Sequence, residues 1–286
     1  MKIIKYFFEF IFIGIFFLIF KIIGYKNASN LGKFIGKKIG PFFRSNFKIH
    51  QNLENSDIGF SKGDRQNIID NMWGNYGRIL SEYIYLKQFR QNRLNNYIEI
   101  EGLNFLNEIK KSNEQVIFVS GHFNNFELMA MQIEKVGINL CAIYRPLNNP
   151  FLNIIMEKIR KDYICKNQIK KGKGGTRELL NFYKKNYSVA LMIDQRVSEG
   201  VSVKLFNRLA KTTTIPAQLI KKFGCKIMPV YIERVKDIHF KISFSNPIQF
   251  DKKLTTKEIT LELNKLLEKM ILKNPDQWIW THGRWK

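Results

Sequence analysis

The chain has 286 residues, of which 45% are hydrophobic, and a formal net charge of +23. That apolar content excludes global disorder, and the length suits one large domain with an appendage or two small domains. The charge implies a polyanionic partner, whether nucleic acid, an anionic membrane surface, a phosphorylated substrate or an acidic protein.

At the N-terminus, Phe10 to Phe20 is an unbroken apolar run. Extended from Ile3 to Gly24, it is about long enough to cross a bilayer, which takes roughly 20 residues. No small-residue cleavage site follows it, which argues against a removed signal peptide. Lys21, Lys26, Lys33, Lys37 and Lys38 follow the run, while Lys2 and Lys5 precede its core, so the positive-inside rule places the main body in the cytoplasm. A helix lying in the membrane interface is the alternative to a crossing one. Residues 1–24 are therefore read as a membrane anchor and 25–286 as the remaining domain.

Asn30 to about Phe47 is basic and aromatic, with Gly32, Gly36 and Gly40, and reads as an amphipathic juxtamembrane segment. Asn55 to Gly63 is a polar connector. Asp64 to about Lys87 carries Ile68, Ile69, Met72, Trp73, Tyr76, Ile79, Leu80 and Tyr83 at helical spacing, a core-packing stripe. From Tyr97 onward, β-like runs near 97–101, 116–120, 140–144, 188–193, 226–231 and 239–244 alternate with helix-like runs over 126–135, 150–161, 177–185 and 216–223. This alternation predicts an α/β fold with a mainly parallel or mixed central sheet flanked by helices. A last amphipathic helix spans 255–272, and Asn274-Pro275 suits the cap and first residue of a short one.

The chemistry concentrates in Ser120-Gly121-His122-Phe123-Asn124-Asn125-Phe126-Glu127, where an apolar strand gives way to a helix. A loop histidine folded back onto a first-turn carboxylate can take a proton from a hydroxyl nucleophile. Asn124 or Asn125 is placed to cap that helix, whose positive end suits Glu127 and whose free N–H groups suit an oxyanion. A plain surface histidine beside an ordinary first-turn acid has the same pattern.

Other strand ends carry further candidates. Tyr144-Arg145-Pro146 leaves a strand at the end where α/β sheets bind ligands, and Arg145 there can grip a phosphate or carboxylate. Arg160 is a second cation, and Asp194-Gln195-Arg196 closes another strand, with Arg196 a simple partner for the acid. Lys170 to Arg177 is a basic, glycine-rich turn before a helix, suited to an anionic headgroup or a phosphopantetheine phosphate, or simply a flexible turn. Trp278, Trp280, His282 and Trp285 crowd the C-terminus beside Arg284 and Lys286, either at a membrane interface or docked on the core. Cys141, Cys165 and Cys225 read as buried thiols in a reducing compartment. No metal-ligand spacing and no GxSxG elbow is present.

Taken together, these motifs resemble those of the bacterial lipid A biosynthesis acyltransferases, within the lysophospholipid acyltransferase superfamily. The H-x4-D/E motif falls on His122 and Glu127. The YRP…NP signature falls on Tyr144-Arg145-Pro146 and Asn149-Pro150, and a downstream arginine on Arg160. The DQ segment falls on Asp194-Gln195, and the closing P-x-Q-W-x-W-x-H pattern on Pro275, Gln277, Trp278, Trp280 and His282. The resemblance implies transfer of a fatty acyl chain from an acyl carrier protein thioester to a hydroxyl of a lipid A precursor, at the cytoplasmic face of the bacterial inner membrane. It implies His122 as general base with Glu127 fixing its tautomer, and Asn125, Arg145, Arg160, Asp194 and Gln195 as substrate-binding residues. Arg145 and Arg160 would hold the acceptor's phosphates. No cofactor or metal is expected beyond the acyl-carrier co-substrate, and the expected partners are acyl carrier protein, anionic lipid and membrane, not nucleic acid. Two alternatives stay open: acyl transfer to a lysophospholipid or another glycolipid, and a non-enzymatic binder of anionic lipid or nucleic acid.

Overall fold

The computed structural model describes residues 2–44, 46–172 and 174–285. The apolar run forms helix α1 (Lys2–Ile23), 22 residues long. Its face bearing Ile4, Phe8, Ile11, Phe12, Ile15 and Ile22 is exposed. The opposite face reaches the body at both ends. Phe7 and Phe10 pack on Phe151, the Asn149 amide donates to the Tyr6 carbonyl, and the Tyr85 hydroxyl donates to the Phe20 carbonyl.

Gly24, at φ 79°, takes a left-handed conformation open to glycine and turns the chain into α2 (Tyr25–Phe43). The expected amphipathic segment is this helix. Its glycines serve contact with α4 (Lys62–Glu82), because a Cβ on Gly36 would lie 2.2 Å from the Trp73 carbonyl oxygen. The short α3 (Asn46–Asn55) lies between them. Ser61 caps α4, accepting from the Asp64 N–H while the Asp64 carboxylate accepts from Ser61, so the polar connector before it is a helix start signal. A 3-10 turn, Tyr83–Tyr85, leads to α5 (Leu86–Arg90).

The α/β alternation follows, with a helix over 103–112 and strands over 167–170, 201–205 and 208–212 in addition to the runs that the sequence predicts. It comprises β1 (Ile98–Glu101), α6 (Leu103–Ser112), β2 (Val116–Ser120), α7 (Glu127–Lys135), β3 (Leu140–Tyr144), α8 (Pro150–Ile159), β4 (Asn167–Lys170), α9 (Gly175–Lys184) and β5 (Ser188–Met192). Next come the hairpin β6 (Val201–Leu205) and β7 (Arg208–Thr212), α10 (Ile215–Phe223), β8 (Lys226–Lys236), β9 (His239–Phe244) and α11 (Thr256–Lys273). The main sheet has seven strands in the order β1-β9-β8-β2-β5-β3-β4. All neighbours pair in parallel except β8 with β9. Covered on both faces, β2 is buried throughout, as the unbroken Val116-Ile117-Phe118-Val119 run requires.

Two arrangements position the site. Central strands β2 and β5 end level, with Ser120 opposite Met192 and the Ile193 N–H donating to the Ser120 carbonyl over 2.9 Å. From there the chain leaves β2 toward β3, past β5, and leaves β5 toward β8, on the other side of β2. Divergent exits of this kind open a crevice at the carboxyl ends of the strands.

Candidate active site

His122 and Asp194 each lie two residues beyond their paired strand ends, and that register brings them together. The His122 Nδ1 to Asp194 Oδ1 distance is 2.7 Å, and the His122 backbone N–H donates to Asp194 Oδ2 over 2.8 Å. The Trp278 indole donates to the same Oδ2 over 3.0 Å. Gly121 permits this approach, since a Cβ there would sit 2.8 Å from the Phe123 ring and 3.3 Å from the Asp194 Cβ. The Phe126 ring meets the imidazole edge to face at 4.8 Å between centroids. His122 Nε2 has no hydrogen-bond partner among the described residues and is not among the sealed buried atoms.

Electrostatics reinforce the pair. Burial alone would raise the Asp194 carboxyl, but the His122 imidazole, its backbone N–H and the Trp278 indole together hold it down at about 2. Burial likewise pulls the His122 imidazole down, and Asp194, with a smaller contribution from Glu127, more than offsets this, so its pKa is raised.

The expected His122–Glu127 bond does not form among the described residues. Glu127 opens α7 and is buried, and its Oε1 accepts from Arg160 Nε over 2.8 Å and Arg160 Nη2 over 2.7 Å. The Tyr83 hydroxyl donates to the same oxygen. The physical reason is placement. Glu127 points toward α4 and the π-turn Arg160–Ile164 at the end of α8, whereas the imidazole is drawn across to β5. Arg160 therefore carries a carboxylate partner of its own, and also lies over the Tyr144 ring at 5.6 Å. Burial would lower the Arg160 pKa, but Glu127 and Tyr83 hold it up. Burial and the Glu127 charge keep the Tyr83 phenol protonated.

Neither Asn124 nor Asn125 caps α7 with its side chain. Asn124, at φ 42°, donates to the Gln277 side chain and accepts from Arg234 Nε over 3.0 Å. Asn125 is fully buried and donates to Glu82 Oε2 over 3.2 Å, so it faces the protein interior. Glu82 is itself the centre of a network that sequence spacing does not reveal. Arg234 bridges both its oxygens at 2.9 and 3.0 Å, and Ser29 donates to it over 2.7 Å.

Arg145 is exposed just past β3, at the same sheet end as His122. Gln195 Nε2 lies 3.4 Å from His282 Nε2. Burial lowers the His282 pKa more than Asp194 raises it, and the nearby charges of His122, Arg44 and Arg145 lower it further. Trp278 and Trp280 are buried, and Trp285 donates to the Leu205 carbonyl, so the C-terminal tryptophans dock on the core. The basic turn after β4 starts α9, and Lys170 pairs with Glu157 at 3.1 Å. Lys173 of that turn, like Lys286, lies outside the described residues. All three cysteines are free and buried. Among the described residues, no three His, Cys, Asp or Glu side chains converge as a metal would require.

Comparison with known proteins shows the family of the chain. The family model described as "Bacterial lipid A biosynthesis acyltransferase" matches residues 1–286. The chain is 25% identical over 260 residues to the lipid A biosynthesis palmitoleoyltransferase of Escherichia coli (strain K12), covering 90% of this chain and 84% of that protein. It is 25% identical over 289 residues to the lipid A biosynthesis lauroyltransferase of the same organism, covering 99% and 92%. Among solved structures, the 1-acyl-sn-glycerophosphate acyltransferase PlsC from Thermotoga maritima aligns at TM-score 0.41 and 12% identity, over 90% of this chain and 100% of that one.

Proposed function

Because the chain belongs to the bacterial lipid A biosynthesis acyltransferase family, we propose that it moves a fatty acyl chain from an acyl carrier protein thioester to a hydroxyl of a lipid A precursor, with His122 as general base. The observation that carries the mechanism is the 2.7 Å bond from His122 Nδ1 to Asp194. It commits the Nδ1 proton to Asp194 and leaves the Nε2 lone pair free for an incoming hydroxyl. Nε2 takes the hydroxyl proton as the oxygen attacks the thioester carbonyl. The C–O bond forms, the C–S bond breaks, and the imidazolium returns the proton to the leaving thiolate. No covalent acyl-enzyme is needed.

In this mechanism Asp194 takes the orienting role that sequence spacing offers to Glu127. Glu127 instead fixes Arg160 and Tyr83 beside the imidazole, and its negative charge favours the imidazolium that develops. Exposed Arg145, at the open end of the crevice, is the cation best placed for an acceptor phosphate. Asn125 supports the loop from behind. Residues 1–24 serve as the membrane anchor, since α1 is long and apolar enough to cross a bilayer, and 25–286 as the acyltransferase. The lysines that follow α1 favour the cytoplasmic face, and the net charge of +23 favours both anionic lipid and an acidic carrier protein.

The test offers the detergent-solubilised protein acyl-carrier thioesters or acyl-CoA as donor, and a lipid A precursor or a lysophospholipid as acceptor. Transfer from the carrier thioester to the lipid A precursor is expected. Transfer only to the lysophospholipid would overturn the acceptor, and transfer only from acyl-CoA would overturn the donor.

A further inference from the structure

A cleft of about 200 Å³ opens beside the β8–β9 turn, walled by α2, α4 and the turn after α11. Arg78 lies at its base with a side chain only 3% exposed. A guanidinium offers five N–H donors. Arg78 spends one of them on Ser29, over 2.7 Å. Its nearest carboxylate, Asp237, is 3.8 Å away, beyond hydrogen-bond reach, and is itself 62% exposed. Buried charges are ordinarily paired and hydrogen-bonded. This one has only the exposed Asp237 within 4.0 Å among the described residues, and it lines a polar cleft far larger than a single water needs.

The rest of the lining adds to the positive charge. Lys33 and Lys236 reach the cleft, and neither has a carboxylate partner within 4.0 Å among the described residues. Of the other charged lining groups, Arg234 is already matched by Glu82, while Asp237 and Asp276 supply the only negative charges there among the described residues. Burial and the neighbouring cations Arg78 and Lys37 lower the Lys33 pKa more than Asp237 raises it.

We infer that this cleft binds a phosphate group, held between Arg78, Lys33 and Lys236. The site is separate from the His122 crevice and does not depend on the acyl-transfer mechanism. The two share a wall, since Arg234 and Gln277 line the cleft and also hold Asn124 of the catalytic loop. A bound phosphate thus sits one layer of side chains behind that loop. Its source is either a phospholipid headgroup or a soluble phosphate.

The experiment is calorimetric titration of the full-length, detergent-solubilised protein at fixed ionic strength. One arm uses inorganic phosphate. The other uses short-chain phosphatidate in micelles, against a zwitterionic lipid control. Lys33→Gln/Lys236→Gln and His122→Ala are run beside the wild type. The expected result is saturable one-to-one binding of at least one probe, weakened about tenfold or more in the double lysine variant and unchanged in His122→Ala. That loss equals about 1.4 kcal/mol. Binding of free phosphate identifies a soluble source, and binding of phosphatidate alone identifies a lipid one. No saturable binding of either probe overturns the inference. So does equal binding by the double variant, or loss of binding in His122→Ala.

Discussion

Replacing Asp194 with Asn tests the pairing that organises the site. The substitution keeps the shape and the Trp278 contact but removes the charge. With the folded carboxyl at about 2 and an ordinary value of 3.8, its ionised form contributes about 2 kcal/mol to stability. Because the folded value is the lower one, that contribution is fully present above 3.8 and is lost as pH falls through about 2. Asp194→Asn is therefore expected to be less stable by about 2 kcal/mol at neutral pH in denaturant titration, and to lose the wild type's acid dependence in that window. The catalytic effect is larger. An amide at 194 can donate to Nδ1 and leave the proton on Nε2, where it blocks general-base catalysis, so kcat should fall about 10²–10⁴-fold. The acidic limb of kcat/KM, which follows His122 losing its proton, should move to lower pH, because Asp194 holds the imidazole pKa up. A folded Asp194→Asn enzyme with wild-type kcat and an unmoved acidic limb would refute the reasoning.

Glu127→Ala leaves the largely buried Arg160 without its carboxylate, and should cost about 3 kcal/mol in unfolding free energy as well as activity. An activity loss with unchanged stability would mean that Glu127 acts on the substrate, not through Arg160. Gly36→Ala drives a methyl into the Trp73 carbonyl, and should destabilise by about 1–3 kcal/mol or more, read from the thermal midpoint; a neutral result would contradict the close α2–α4 crossing. Burial pushes the Cys141 and Cys165 thiols up to about 12 and also raises Cys225. A thiol reagent at neutral pH should therefore label none of the three in the native protein and all three in denaturant, and rapid native labelling would contradict their burial.

What the sequence reveals and what it hides divide along the range of the interactions. Strand β2 is visible because both its faces are covered, and β3 because its apolar run is continuous. Helix α4 is visible because its apolar residues recur at helical spacing. Strands β6 and β7 are not among the expected runs, although Val201-Ser202-Val203-Lys204-Leu205 alternates as a half-buried strand does and Phe206-Asn207 supplies the turn. The short β4 has no such pattern. At the site, His122, Glu127 and Asp194 each stand out at the ends of their elements, but local spacing offers only Glu127 as the partner of His122. The actual partner depends on the register that sets Ser120 against Met192 across 72 residues of chain, which no local pattern encodes. The Glu82–Arg234–Asn125 network is hidden for the same reason. Glu82 sits on a helix that reads as plain core, and Arg234 near the end of a long strand, so neither signals the other.

The most direct test of the central claim is single-turnover acyl transfer from a labelled acyl-carrier thioester to a lipid A precursor, comparing the wild type with His122→Ala in matched, folded preparations. Labelled product is expected from the wild type with no acyl-protein intermediate, and loss of transfer by at least about two orders of magnitude in the variant. Undiminished transfer by His122→Ala, or a covalently acylated protein forming at a competent rate, would contradict the claim.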